Sequence, residues 1–442
     1  MPKETKPSSV GACPKQGGEA RKRFPWAEPS VWTDRMLAAL EKGVKGGKWF
    51  SLIDKVYQRP NLEASFIKTK RNHGAAGIDR VTVEQFEKRL DANLSWLEKG
   101  LKEEEYTPQP TRRKTIKEPG TRKERTLMIP TIRDRVVQGA IKNVIEPIFE
   151  QTFSKNSYGF RPGRGCKQAL GKVSSLLKAG NTWVVDADIK SYFDAIPHNR
   201  LMECVREKVA DGRVLALIES FLKEGILSGL SNWEPGRGTP QGAVISPLLA
   251  NIYLNPLDHK MTEEGFEMVR YADDFVILCR SEQEAHRALA LVKGWMREAG
   301  LTLHPEKTQI TDATQRGGFD FLGYHFERGY RWPSKKSLKK FKASIRLKTK
   351  RCNGHSMEKI VESINRTSRG WFEYFKHSHY TSFPSIDSWV RMRLRSILRK
   401  RHHGKGRGRG VDHQKWPNVY FRDIGLLSMV TAHSLACQSS RR

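Results

Sequence analysis

Paired cysteines are missing from this 442-residue sequence. The six that occur, Cys13, Cys166, Cys204, Cys279, Cys352 and Cys437, lie far apart, with no CxxC pair and no histidine at zinc-finger spacing. That excludes a readable disulfide framework or structural zinc site. No apolar run approaches the roughly 18–20 residues that cross a bilayer, and mean hydropathy is −0.62, so no membrane span is expected. The opening residues MPKETKPSSVGACPKQGGEARKR lack the apolar core of a signal peptide, and the expected location is cytoplasmic, with reduced thiols. Acidic residues are scarce as well: 48 Asp plus Glu face 79 Lys plus Arg, a formal net charge of +31. This excess argues against an ordinary neutral metabolic enzyme, and 38% apolar with 9% aromatic residues argues against a disordered basic tail. What remains is a folded protein with a polyanionic partner. Nucleic acid comes first, because Lys and Arg gain affinity by displacing counterions from phosphates; an anionic membrane surface comes second.

The chain divides by composition. Residues 1–28 read as a mobile basic arm, and 29–180 as an N-terminal helical extension followed by a basic hairpin around a Pro-Gly turn, RRKTIKEPGTRKERTLMIP. Residues 181–330 alternate strand-like and helical runs in the order expected of an α+β unit of the split βαβ kind. From 331 the composition shifts: residues 331–410 hold 23 Lys plus Arg and 4 Asp plus Glu. Three periodic segments there, SLKKFKASIRLK, MEKIVESINRTSRGWFEYF and SIDSWVRMRLRSILRKR, predict a small basic helical domain over 331–402. The remainder, 403–442, reads as a basic linker, HHGKGRGRG, and a C-terminal segment.

The segment with most chemistry is Tyr271-Ala272-Asp273-Asp274. Two adjacent carboxylates between the runs MVRY and FVILC repel each other unless a cation sits between them. With Asp188, at the end of TWVVDAD, beside that turn, Asp188 and Asp273 would form an oxygen-ligand site for two divalent ions, suited to in-line phosphoryl transfer. Spacing alone does not choose among Asp186, Asp188 and Asp194, and an isolated Asp-Asp pair is more often a turn or a helix cap.

Further motifs follow in order: KRNHGAAGIDRVT, RTLMIPTIRDRVVQGAIKNVIEPIFE with FSKNSYGFRPGRG, VVDADIKSYFDAIPH, GTPQGAVISPLLANIYLNPLD, RYADDFVIL, GLTLHPEKTQI, FDFLGYHF and GWFEYF. In this succession, from about Asn72 to Gln438, the chain resembles the reverse transcriptases encoded by group II introns, the maturases. The resemblance implies a right-hand polymerase of fingers, palm and thumb. It implies Asp188, Asp273 and the backbone of Ile189 at two Mg²⁺ ions, with Mn²⁺ as the substitute, and Asp274 as their less directly engaged neighbour. Asp186 becomes a bystander. It further implies Lys117, Arg125, Phe193 and Gln241 around the incoming nucleotide, with Phe193 excluding a 2′-hydroxyl by its bulk. Lys307 stands beside the pyrophosphate leaving group, and Phe321, Leu322 and Gly323 form the primer grip. Within the hairpin, Lys114, Arg122 and Lys123 compete with Lys117 and Arg125, and without the family Phe193 would be read as a core ring.

Arg161, Arg164 and Lys167, and in the basic domain Arg366, Arg369, Lys376, Arg391, Arg393 and Arg395, are expected nucleic-acid contacts. Expected partners are group II intron RNA, an RNA template with its DNA primer, dNTPs and target DNA, with association with the nucleoid when DNA is bound, and no membrane. The His-Asn-His endonuclease residues of many relatives are missing, so the resemblance is to the endonuclease-lacking type. Two other readings stay open: an RNA-folding factor whose polymerase motifs are unused, and a reverse transcriptase diverted to antiphage defence.

Overall fold

The computed structural model describes residues 21–117, 124–224, 237–239 and 242–439. Its centre is a four-stranded sheet in the spatial order β4-β5-β3-β6, every neighbouring pair antiparallel, from β3 (Trp183–Asp188), β4 (Glu267–Tyr271), β5 (Asp274–Cys279) and β6 (Gln309–Asp312). Helices connect β3 to β4, and the helix Glu282–Glu298 connects β5 to β6. That is the split βαβ arrangement read from the sequence. The helix Glu282–Glu298 starts where the Ser281 hydroxyl accepts from the Glu284 amide, and it buries Ala285, Ala288, Val292 and Met296, a stripe at helical spacing.

The sheet feeds two cores because successive strand residues point to opposite faces. On β5, Phe275, Ile277 and Cys279 enter a large core shared with the N-terminal helices, whereas Val276 and Leu278 enter a second one. On β3, Val185 and Ala187 join the first and Val184 the second. The large core takes residues from Phe24 to Phe153 and from Val185 to Leu301, so both sides of the expected division near residue 180 contribute to it. The basic hairpin forms as β1 (Arg112–Lys117) and β2 (Glu124–Ile129), paired antiparallel.

The stretch FDFLGYHF, expected as a short strand, is two strands of a separate three-stranded sheet: β7 (Phe319–Phe321), β8 (Tyr324–Glu327) and β9 (Tyr330–Pro333). Phe319, Phe321, Tyr324 and Phe326 bury their rings in the second core beside helix Cys166–Lys178.

In the basic region, helices Lys335–Lys348, Met357–Phe375 and Ser382–Arg401 pack around their own apolar core. The region 403–442, expected as a basic linker and a C-terminal segment, adds to this core. Helices Gly410–Lys415, Asn418–Asp423 and Met429–Ser439 follow, and Trp416, Phe421 and Met429 are buried in the same core. The glycine-rich connection is tied down as well, since the Lys405 and Gly406 carbonyls accept from Arg399 and Arg351. At the other end, Phe24 and Ala27 are buried, so the arm expected to be mobile is packed by Phe24; residues 1–20 lie outside the described part.

Candidate functional site

The residues singled out by sequence converge where β3 and β5 end. Asp188 lies directly opposite Asp274 in the register of these strands, and Asp186 lies two residues back, opposite Val276. Asp186 and Asp188 share the face of Val184, and Asp274 that of Val276 and Leu278, so all three carboxylates rise over the apolar floor of the second core. Asp273 occupies the hairpin turn between Tyr271 and Asp274, which pair across it.

That turn is strained and braced. Ala272 adopts φ 60°, a left-handed conformation that a side chain makes costly by about 1 kcal/mol. Beneath it lies Arg270, fully buried, whose Nε donates to Asp258 Oδ1 at 2.7 Å and whose Nη1 donates to the Ala272 carbonyl and to Asn251 Oδ1, both at 2.9 Å. Asn251 in turn donates to the Gly159 carbonyl at 2.8 Å. A Cβ on Gly159 would come within 2.3 Å of the Ala272 amide nitrogen, so only glycine lets that segment lie against the turn. Sequence reasoning missed Arg270, Asp258 and Asn251. A charged residue inside the run MVRY, and Asn251 with Asp258 seven residues apart on one helix, were the signals available.

The electrostatics are those of a site short of positive charge. Burial, and then Asp273 and Asp188, push the Asp274 carboxyl up to about 7, against an opposing hydrogen bond from the Leu322 amide. Burial, followed by Asp274, Asp320 and Asp188, pushes Asp186 up to about 7 as well. The bystander therefore belongs to the same field of charge. Lys307 supplies a cation here, its Nζ paired with Asp188 Oδ2. Among the described residues no three His, Cys, Asp or Glu side chains gather closely enough to hold a metal by themselves. A pair of carboxylates that leaves positions for water and phosphate oxygens fits Mg²⁺, which dehydrates reluctantly and is bound through one or two carboxylates plus substrate.

Around this centre the other expected residues take distinct places. Ile189 is buried, and its backbone bridges to Leu303. Phe193 is half-buried in the short helix Tyr192–Ala195, its ring 5.5 Å from that of Tyr192, and its carbonyl accepts from the Thr239 amide at 2.6 Å. Gln241 lies outside the described residues; after it, Gly242 packs on the Met128 carbonyl of β2 and the Val244 amide donates to Gln138 on helix Ile132–Glu150. Lys117 and Arg125 stand on β1 and β2, opposite Glu124 and Ile116. The hairpin tip, with Arg122 and Lys123, is outside the described part.

Leu322 and Gly323 make the turn between β7 and β8, with φ 47° and 79°. Besides the Leu322 amide on Asp274, the Leu322 carbonyl accepts from the Tyr374 hydroxyl at 2.7 Å, and the Gly323 carbonyl from the Ser337 hydroxyl at 3.0 Å. The turn thus joins the carboxylate strand to the first two helices of the basic domain. Phe321 contributes only its backbone there, because its ring is buried.

The expected cationic contacts divide. Arg161 is buried and bidentate on Glu150, and it also donates to the Ser154 and Ser157 carbonyls. Arg395 is buried and donates to Trp416 and Asn418, and Arg393 donates to Thr349. These three guanidiniums satisfy internal oxygens, and an external phosphate contact does not fit that geometry. Arg164 is half-buried and bonds the Lys155 carbonyl. Lys167 and Lys376 pair with Glu373, whereas Arg366 and Arg369 are exposed on helix Met357–Phe375 and Arg391 is half-exposed on the next.

Two successive segments of the chain match known families. Residues 116–326 match the family model described as reverse transcriptase (RNA-dependent DNA polymerase), and residues 338–416 match that described as group II intron, maturase-specific domain. Protein YkfC of Escherichia coli is 32% identical over 294 residues, 57% of this chain and 76% of that protein. The group II intron-encoded protein LtrA of Lactococcus lactis is 42% identical over 158 residues, 36% of this chain and 26% of LtrA. A solved chain from a partial Cas6-RT-Cas1–Cas2 complex is 26% identical, covering 56% of this chain and 41% of that one, with a TM-score of 0.36. With both domain models in order and a relative matched over three quarters of its length, the chain belongs to the reverse transcriptase and maturase family of group II introns, an RNA-directed DNA polymerase family of right-hand fold.

Proposed function

We propose that this protein extends a DNA primer on an RNA template with Asp188 and Asp273 as ligands for two Mg²⁺ ions, and that its basic domain holds intron RNA during splicing and mobility. The observation that carries the reading is the register of Asp188 against Asp274 across β3 and β5 with Asp273 in the adjoining turn. When bound, the ions would lower the pKa of the primer hydroxyl and balance charge on the phosphates. The chain's own residues do the positioning. Arg270 and Asp258 fix the turn, the Leu322 amide orients Asp274, and Phe193 presents a ring beside the Thr239 loop where a 2′-hydroxyl would clash. Lys307, paired with Asp188, is the cation suited to a leaving phosphate. Of the basic-domain arginines expected to contact RNA, Arg366, Arg369 and Arg391 keep side chains at the surface, where they suit RNA phosphates.

The test is extension of a DNA primer on an RNA template with dNTPs and Mg²⁺. Synthesis that stops on chelation and returns with Mg²⁺ or Mn²⁺ is expected. RNA binding without synthesis under any divalent ion would favour the RNA-folding reading instead.

A further inference from the structure

β9 is the outer strand of the three-stranded sheet, and Tyr330 lies at the end of the β8–β9 hairpin farthest from the Leu322–Gly323 turn and its carboxylates. Four rings gather there. Tyr330 lies 4.8 Å from His379 and 5.9 Å from Trp332, and His379 lies 4.5 Å from Tyr380. Tyr330 is 56% and Tyr380 64% exposed. Aromatic surface left in water forgoes about 25 cal/mol for each Å² that could be buried, and a contiguous patch of it marks a binding surface.

Beside the rings is a cavity of about 290 Å³ lined by Ser174, Lys178, Arg331, His377, Ser378 and His379 among others, with no carboxylate in its wall. Arg331 donates to the His377 carbonyl at 2.9 Å and to the Ser174 hydroxyl at 3.2 Å, yet among the described residues no acid pairs with it. Burial without a compensating negative charge lowers its pKa. Ser378, on a residue 3% exposed, lies with its hydroxyl against the Tyr324 hydroxyl. The nearby acid felt by His377, Glu373, is already held by Lys167 and Lys376. A half-buried guanidinium whose partners are neutral oxygens, with Lys178 in the same acid-free wall, suits a ligand that brings oxygens with negative charge.

We propose that the ring cluster and this cavity form a second nucleic-acid site that takes one unpaired nucleotide of a single strand, its base on Tyr330, His379 and Tyr380 and its phosphate toward Arg331 and Lys178. The site is remote from the carboxylate turn and rests on the reading of the protein as nucleic-acid-binding. A base in a duplex is already stacked and paired, so the site discriminates for single strands.

The experiment measures affinity of the full-length protein for a short single-stranded RNA, single-stranded DNA of the same sequence, and a blunt RNA–DNA duplex. Tyr330→Ala with Tyr380→Ala, both exposed and so without a large folding role, should weaken single strands roughly tenfold and leave the duplex within about twofold. Lys178→Gln should reduce the salt slope for single strands by about one unit. Loss confined to RNA would assign a 2′-hydroxyl contact, and equal loss on DNA would assign base and phosphate alone; either supports the site. Unchanged single-strand affinity, or equal weakening of duplex and single strand, overturns it. A wild-type protein that binds none of the three probes overturns the proposed function as well.

Discussion

The palm and the basic bundle carry charge in opposite ways. In the palm a few carboxylates stand over an apolar floor, with a fully buried Arg270–Asp258 pair under the turn, so each charge has one position and one geometry. In the bundle the core is apolar and most of 23 cations in residues 331–410 are on its outer surface, where Arg369 is exposed and Arg366 makes only an exposed pair with Glu362. Buried charge defines position, and exposed charge contributes by number, because water screens individual surface interactions. Substitutions in the palm should therefore act almost all-or-none, and those in the bundle by degrees.

The largest expected effect is at the brace. Arg270→Met leaves Asp258 buried without a partner and should cost about 3–5 kcal/mol of stability, most of it recovered when Asp258→Leu is added; denaturant melts of the single and double variants read this directly. Recovery of stability without recovery of DNA synthesis would show that the pair exists to place the turn. Next, Asp273→Asn should reduce synthesis roughly 100-fold or more while RNA affinity holds, as measured by primer extension and filter binding on one preparation. Phe193→Ala should raise the ratio of ribonucleotide to deoxynucleotide incorporation roughly tenfold, and an unchanged ratio would return Phe193 to the role of a core ring. Smallest, each of Arg366→Gln, Arg369→Gln and Arg391→Gln should lower the slope of log affinity against log salt by about one unit, as read by titration at several salt concentrations.

The same contrast explains what the sequence disclosed. The carboxylate positions were legible because strand periodicity and an acidic turn are local signals, and the order of motifs placed them in one fold. Arg270, Asn251 and Asp258 were not, because their meaning depends on a helix and a strand meeting. Arg161 and Arg395 look like their exposed neighbours in sequence, and only the carbonyls and carboxylates folded around them give them an internal role. The C-terminal helices escaped notice because their apolar residues, Trp416, Phe421 and Met429, are sparse and complete a core begun by residues 341–398.

The central claim is that chemistry resides at the carboxylate turn and the bundle only holds the nucleic acid. It is tested most directly by the single-turnover rate of dNTP addition at saturating RNA template and primer, for the triple variant Arg366→Gln, Arg369→Gln, Arg391→Gln. The account predicts a rate constant equal to that of the wild type, reached at higher template concentration. A rate constant that falls as far as that of Asp273→Asn, with template saturating, would contradict it.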